Sequence, residues 1–101
     1  MRVGTGAGAT GVVNQSGGNV TVANNDNWLV VGADGGTGSY NLSNGQLNVV
    51  GSNSTIEART QVGWGAGSNG HFVQSGGSAV MNQLWIGGNG ASGTYDMNGG
   101  Q

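Results

Sequence analysis

The residues able to do chemistry are few and scattered. The chain has one histidine, His71, and one glutamate, Glu57. Its aspartates are Asp26, Asp34 and Asp96, set against two basic residues, Arg2 and Arg59. Acid–base catalysis needs titratable groups within reach of one proton, and a nucleophile needs a base beside it. Only Glu57 and Arg59 lie close together in sequence. His71 precedes Phe72 in an alternating stretch, so it is expected to point the opposite way, into solvent. Ser16 and Ser75 each precede a Gly-Gly pair and read as turn residues without a base. Polysaccharide lyases built on solenoids need a carboxylate, lysine and arginine cluster on one face, and this chain has no lysine. The expectation is a protein that is not an enzyme.

Binding chemistry is limited as well. A net charge of −2 without lysine argues against nucleic acid, because phosphate recognition needs clustered basic side chains. The absence of cysteine removes disulfides and thiolate metal sites. The runs GADGGTG (32–38) and GGNGASG (87–93) are similar to Gly-Gly-x-Gly-x-Asp calcium repeats. Both lack the aspartate after the third glycine, so they read as turns. A phosphate-binding glycine loop would need a following helix, and no helical period follows. No metal and no cofactor are expected. No apolar run approaches the roughly 18 residues of a membrane span, and MRVGTGAG at the start has no apolar signal-peptide core. Neither membrane insertion nor a signal peptide is therefore expected in these residues.

Trp28, Trp64 and Trp85 remain as candidate contacts. Each lies near a recurring apolar-Gly step, and Trp28 and Trp85 are expected on the outer side. Exposed aromatics of this kind stack on sugar rings or on a neighbouring filament; otherwise they cover the corners. Asp26, Glu57, Arg59 and Trp28 fall in the arms of most variable length, 23–28 and 50–59, where repeat proteins place binding loops.

The elements that position these residues are repeats. One motif recurs: an aromatic residue or Val, then Gln, Leu or Met two residues on, then a polar-Gly turn. Its copies are VNQSGGNVTV (13–22), YNLSNGQLNV (40–49), FVQSGGSAVM (72–81) and YDMNGGQ (95–101). The turn glycines Gly18, Gly45, Gly77 and Gly100 are spaced 27, 32 and 23 residues apart. An apolar-Gly step precedes each copy, at Val3-Gly4, Val31-Gly32, Val62-Gly63 and Ile86-Gly87. Copies one and three share QSGG, while two and four share Tyr with Leu or Met. The true period is therefore readable as a pair of coils.

Each unit holds three short alternating stretches, such as Leu29-x-Val31, Tyr40-x-Leu42 and Leu47-x-Val49, bounded by Gly, Asn and Ser. Such alternation reads as strands. A hairpin array is the competing arrangement, but a lone hairpin cannot bury its apolar face, whereas stacked coils bury a continuous one. The expected fold is all-β: a right-handed parallel β-solenoid of about four short three-sided coils, forming one domain over residues 1–101. The units are approximately 3–30, 31–61, 62–85 and an incomplete 86–101. Stacking predicts three inward ladders: Val13, Tyr40, Phe72 and Tyr95; Val20, Leu47 and Ala79; Val3, Val31, Val62 and Ile86. Gln15 and Gln74 share an inward position with Leu42 and Met97, and need partners at the adjacent turns.

These runs resemble the Gly/Asn-rich repeats in passenger regions of autotransporter-like and PEP-CTERM-type bacterial surface proteins. The resemblance covers nearly the whole chain. It implies an extended, extracellular solenoid stalk at the cell surface, structural or adhesive and without enzymatic activity. NQSGGN (14–19) and VQSGGSAVMNQ (73–83) are also similar to curlin fibre repeats. The spacings of 27 and 32 exceed that period, however, and copies two and four lack its glutamine. Neither terminus carries a helix, a charged cap or a proline, and a bare solenoid end exposes unpaired backbone groups. The expected partner is the chain itself, in head-to-tail assembly. A glycan- or surface-binding module using the tryptophans is the alternative.

Overall fold

The structure, a computed structural model, describes residues 1–22, 28–50, 59–81 and 83–101. Among the described residues there is no helix, and nine strands follow one another along the chain. They are β1 (Arg2–Thr5), β2 (Thr10–Val22), β3 (Trp28–Ala33), β4 (Thr37–Val49), β5 (Arg59–Trp64), β6 (Asn69–Gln74), β7 (Ser78–Met81), β8 (Gln83–Ile86) and β9 (Ser92–Met97). All pairings are parallel and join each coil to the next. One sheet runs β1-β3-β5-β8 and the other β2-β4-β6-β9, with β7 also on β4. The fold is a parallel β-solenoid of three turns with a partial fourth.

The register follows the sequence repeat. Thr10 pairs with Thr37, Thr37 with Asn69, and Asn69 with Ser92. The longer second and shorter third steps are absorbed before β5 and β8. The unit boundaries at Val31, Val62 and Ile86 fall inside strands. The coils begin three residues earlier, at Trp28, Arg59 and Gln83.

Three separate strands form in one coil and not in the two before it. In the first two coils the second and third stretches run on as single 13-residue strands, β2 and β4. The register breaks between Gln15 and Ser16 and again between Ser16 and Asn19. These two irregularities cancel, so Val20 still meets Leu47. The Gly turn bends an extended chain rather than ending the ladder: Ser16 pairs with Asn44, and regular pairing resumes at Asn19. Only in the third coil do β6 and β7 separate. The four turn glycines all have positive φ, between 69° at Gly18 and 90° at Gly45.

The apolar-Gly step has a packing cause. At each step the main chains of the two sheets touch. A Cβ built on Gly70 would fall on the Val31 carbonyl oxygen, and one on Gly32 would fall on the Asn69 carbonyl oxygen. Only glycine permits that approach. The core between the sheets holds Val3, Val22, Leu29, Val31, Tyr40, Leu42, Leu47, Val49, Val62 and Phe72. Val13, Val20, Ala79, Met81 and Tyr95 are half-buried against it.

Candidate functional site

Two surfaces emerge from this register. The first is the outer face of the β1-β3-β5-β8 sheet. Arg59 opens β5 and lies opposite Gln83, while Gln61 lies opposite Trp85. Arg59 and Trp85 are therefore diagonal neighbours, and the guanidinium carbon sits 3.9 Å from the centroid of the Trp85 ring. Cation–π contact holds both side chains against the sheet. Trp85 is 44% exposed. Between the strands, Gln61 is fully buried and its Nε2 donates to the carbonyls of Gly63 (2.9 Å) and Gly87 (3.4 Å). Trp64 is half-buried, and its ring lies over Gly88 of the following coil.

The tryptophans do not form one stripe. Trp28 pairs with Arg59, Trp64 with Ala33, and Trp85 with Gln61, which are three different register positions. Trp28 and Arg59 stand at the start of strands rather than in arms. Asp26 and Glu57 lie outside the described residues. His71 is exposed, opposite Ser39 and Thr94 on the outer side. Among the described residues no three His, Cys, Asp or Glu side chains come together.

The second surface is the last rung, formed by β8 and β9. Register places Leu84 opposite Thr60, Ile86 opposite Val62, Tyr95 opposite Phe72 and Met97 opposite Gln74. One coil earlier those positions are wholly buried. In the last rung Leu84 is 43% exposed, Ile86 48% and Met97 53%.

Inside the stack, aromatic rings carry one ladder. Tyr40 and Phe72 stack with centroids 5.1 Å apart and planes 2° from parallel, and Phe72 and Tyr95 stack at 4.7 Å and 6°. The tyrosines also reach back to the coil before them. The Tyr40 hydroxyl donates to Gln15 Oε1 at 2.6 Å, and the Tyr95 hydroxyl donates to Gln74 Oε1 at 2.8 Å. Each glutamine amide then donates to its own turn and to the next coil. Gln15 serves Gly18 (3.3 Å) and Gln46 (2.9 Å); Gln74 serves Gly77 (3.5 Å) and Gln101 (2.7 Å). The turn carbonyls were the partners expected from sequence, whereas the tyrosine hydroxyls were not foreseen. The signal for them was the alternation of Gln coils with Tyr coils. Burial pushes both phenols above the ordinary tyrosine value of 10.0.

Compared with protein-family models, curated proteins and solved structures, the chain matches none.

Proposed function

We propose that this chain is a structural, non-catalytic segment of an extracellular surface stalk or self-assembling fibre, and that its work is the stacking of coils. The observation that carries the reading is the ladder inside the stack: Tyr40, Phe72 and Tyr95 lie ring on ring at 5.1 and 4.7 Å, and the strand pairings join each coil to the next. A further coil extends such a ladder by parallel hydrogen bonding and apolar burial together. Each buried methylene contributes about 0.8 kcal/mol, and sheet edges favour such pairing. The test is electron microscopy with sedimentation across a concentration series. Unbranched filaments or end-to-end oligomers that grow with concentration support the reading. A monomer at every concentration rules out the self-assembling fibre and leaves the stalk segment.

A second reading draws on the outer face. Trp85 is 44% exposed, with the Arg59 guanidinium lying over one face of its ring. An aromatic plane with an adjacent donor is a platform for a sugar ring. Binding on a glycan array that is lost in Trp85→Ala, with circular dichroism unchanged, would support this use of the face. No binding to any glycan would remove it.

A further inference from the structure

We infer that Asn44 is a site of spontaneous covalent modification, at which the main-chain nitrogen of Gly45 attacks the Asn44 carboxamide and converts it to aspartate and isoaspartate. The inference goes beyond the stacking reading and does not depend on it.

The sequence has four Asn-Gly steps: Asn44-Gly45, Asn69-Gly70, Asn89-Gly90 and Asn98-Gly99. Glycine leaves the attacking nitrogen unhindered, because it carries no Cβ. The fold treats the four steps differently. Asn44 is exposed in the turn of β4, and the Gly45 amide donates to Asn44 Oδ1 at 2.8 Å. A C=O bond is about 1.2 Å long, so the Gly45 nitrogen lies within about 4 Å of Cγ, the atom it must reach. That is close to the separation of a near-attack conformer. The same hydrogen bond polarises the carbonyl and makes Cγ more electrophilic. Gly45 also lies off the regular ladder. Pairing passes from Ser16–Asn44 to Asn19–Gln46 on one side, and from Leu42–Gln74 to Gln46–Ser78 on the other.

Asn69 is the contrast. Gly70 is buried in β6 between Gly38 and Gly93, with no room for a Cβ before the Val31 carbonyl oxygen. Asn89 and Asn98 are exposed. Among the described residues, however, only the Asn44 carboxamide bonds to the amide that follows it. Asn89 is held at φ 50° in a turn closed by the Ala91 amide on the Gly88 carbonyl oxygen (3.0 Å).

The reaction needs only water and hydroxide. Hydroxide removes the Gly45 amide proton. The electron pair on nitrogen then bonds to Cγ, the bond from Cγ to Nδ2 breaks, and Nδ2 leaves as ammonia with a proton from water, which regenerates the hydroxide. Water opens the resulting five-membered succinimide at either carbonyl carbon. Attack at Cγ gives aspartate. Attack at the main-chain carbon of residue 44 gives isoaspartate, whose main chain is one methylene longer. The turn has no space for that methylene. A Cβ on Gly45 would fall on the Gly18 carbonyl oxygen, and one on Gly77 would fall on the Gly45 carbonyl oxygen. Isoaspartate at this position therefore loosens the contacts to both neighbouring coils.

The experiment ages the 101-residue chain at mildly alkaline pH, in buffer and in urea. Peptide mapping with mass spectrometry then separates asparagine, aspartate and isoaspartate at each step. In buffer Asn44 should convert fastest, at least about tenfold ahead of Asn69. In urea, where the folded contacts are gone, the four steps should converge. The urea midpoint of the aged chain should fall as isoaspartate accumulates at residue 44. The midpoint of an aged Asn44→Gln variant should hold, because its longer side chain cannot close the five-membered ring. Conversion at Asn44 no faster than at Asn69 in the folded chain overturns the inference. A lead of Asn44 that persists in urea also overturns it, since the reactivity would then belong to the local sequence and not to the fold. An equal loss of stability in Asn44→Gln would place the damage at another residue and overturn the effect assigned to this turn.

Discussion

The Tyr40 hydroxyl and the Gln15 carboxamide make a bond that decides more than its own energy. Both groups are buried, and the bond joins the Tyr40 hydroxyl to Gln15 Oε1, while the amide nitrogen of Gln15 donates to Gly18 and Gln46. Tyr40→Phe leaves Gln15 Oε1 with one donor fewer in a closed core. The expected cost is about 1–3 kcal/mol in urea unfolding, although ring stacking on Phe72 is preserved. A loss below about 0.3 kcal/mol would mean that the bond does not form. The same burial carries a pH signature. The phenolate is disfavoured in the folded coil, so the folded pKa of Tyr40 and of Tyr95 stands above 10.0. The neutral phenol is the form the fold retains. This contribution to stability is fully present below the unfolded tyrosine value and is lost as pH rises through the raised folded values. Thermal melting should therefore be flat for these groups near neutrality and fall above about pH 10. In a Tyr40→Phe, Tyr95→Phe double variant the alkaline fall should shrink, and an unchanged slope would assign it to other groups.

At the scale of the element, glycine placement explains which parts of the coil were legible. The alternation Tyr40-x-Leu42 and Leu47-x-Val49 reads directly as inward strand faces, since those are the side chains that β4 places in the core. The apolar-Gly step reads as a corner, and its cause is the main-chain contact between the sheets at Gly32 and Gly70. The junction of two stretches into one strand was not legible. Ser16-Gly17-Gly18 has turn composition, yet pairing resumes at Asn19 with no residue gained overall. Composition reports local bending and cannot report whether the next coil keeps the ladder bonded. The positions of the tryptophans were hidden for a related reason: the arms differ in length, so distance from the glycine did not fix register across coils. Glycine roles can be separated by experiment. Gly70→Ala forces a Cβ onto the Val31 carbonyl oxygen and should cost about 3 kcal/mol or more, or abolish folding. Gly17→Ala meets nothing within 4 Å and has no positive φ, so it should shift stability by less than about 0.5 kcal/mol. Similar midpoints for the two variants would refute the close packing of the sheets.

For the whole molecule, stability is a sum over neighbouring coils, because each coil touches only those beside it. The interior coils have two neighbours, whereas the rung of Gln83–Ile86 and Ser92–Met97 pairs with β5 and β6 alone among the described residues. Opening free energy should therefore be graded along the axis, and hydrogen exchange reports it amide by amide. Amides of Thr37–Val49, held between two coils, should exchange most slowly. Those of Ser92–Met97 should exchange fastest among the strands. In a parallel ladder successive residues bond to alternate sides, so about half of these amides face away from the stack. Concentration adds the deciding arm of the experiment. If coils stack end to end, raising the concentration gives the outward amides of Ser92–Met97 a partner strand, and their protection should rise while that of Thr37–Val49 stays constant. Salt should leave this gain nearly unchanged, because the junction is made of main-chain bonds and apolar contacts, which are screened little. Protection that rises equally in all strands would indicate a general stabilisation. Protection that does not rise at all would show that the last rung stays uncovered, and would confine the role of the ladders to holding this chain together.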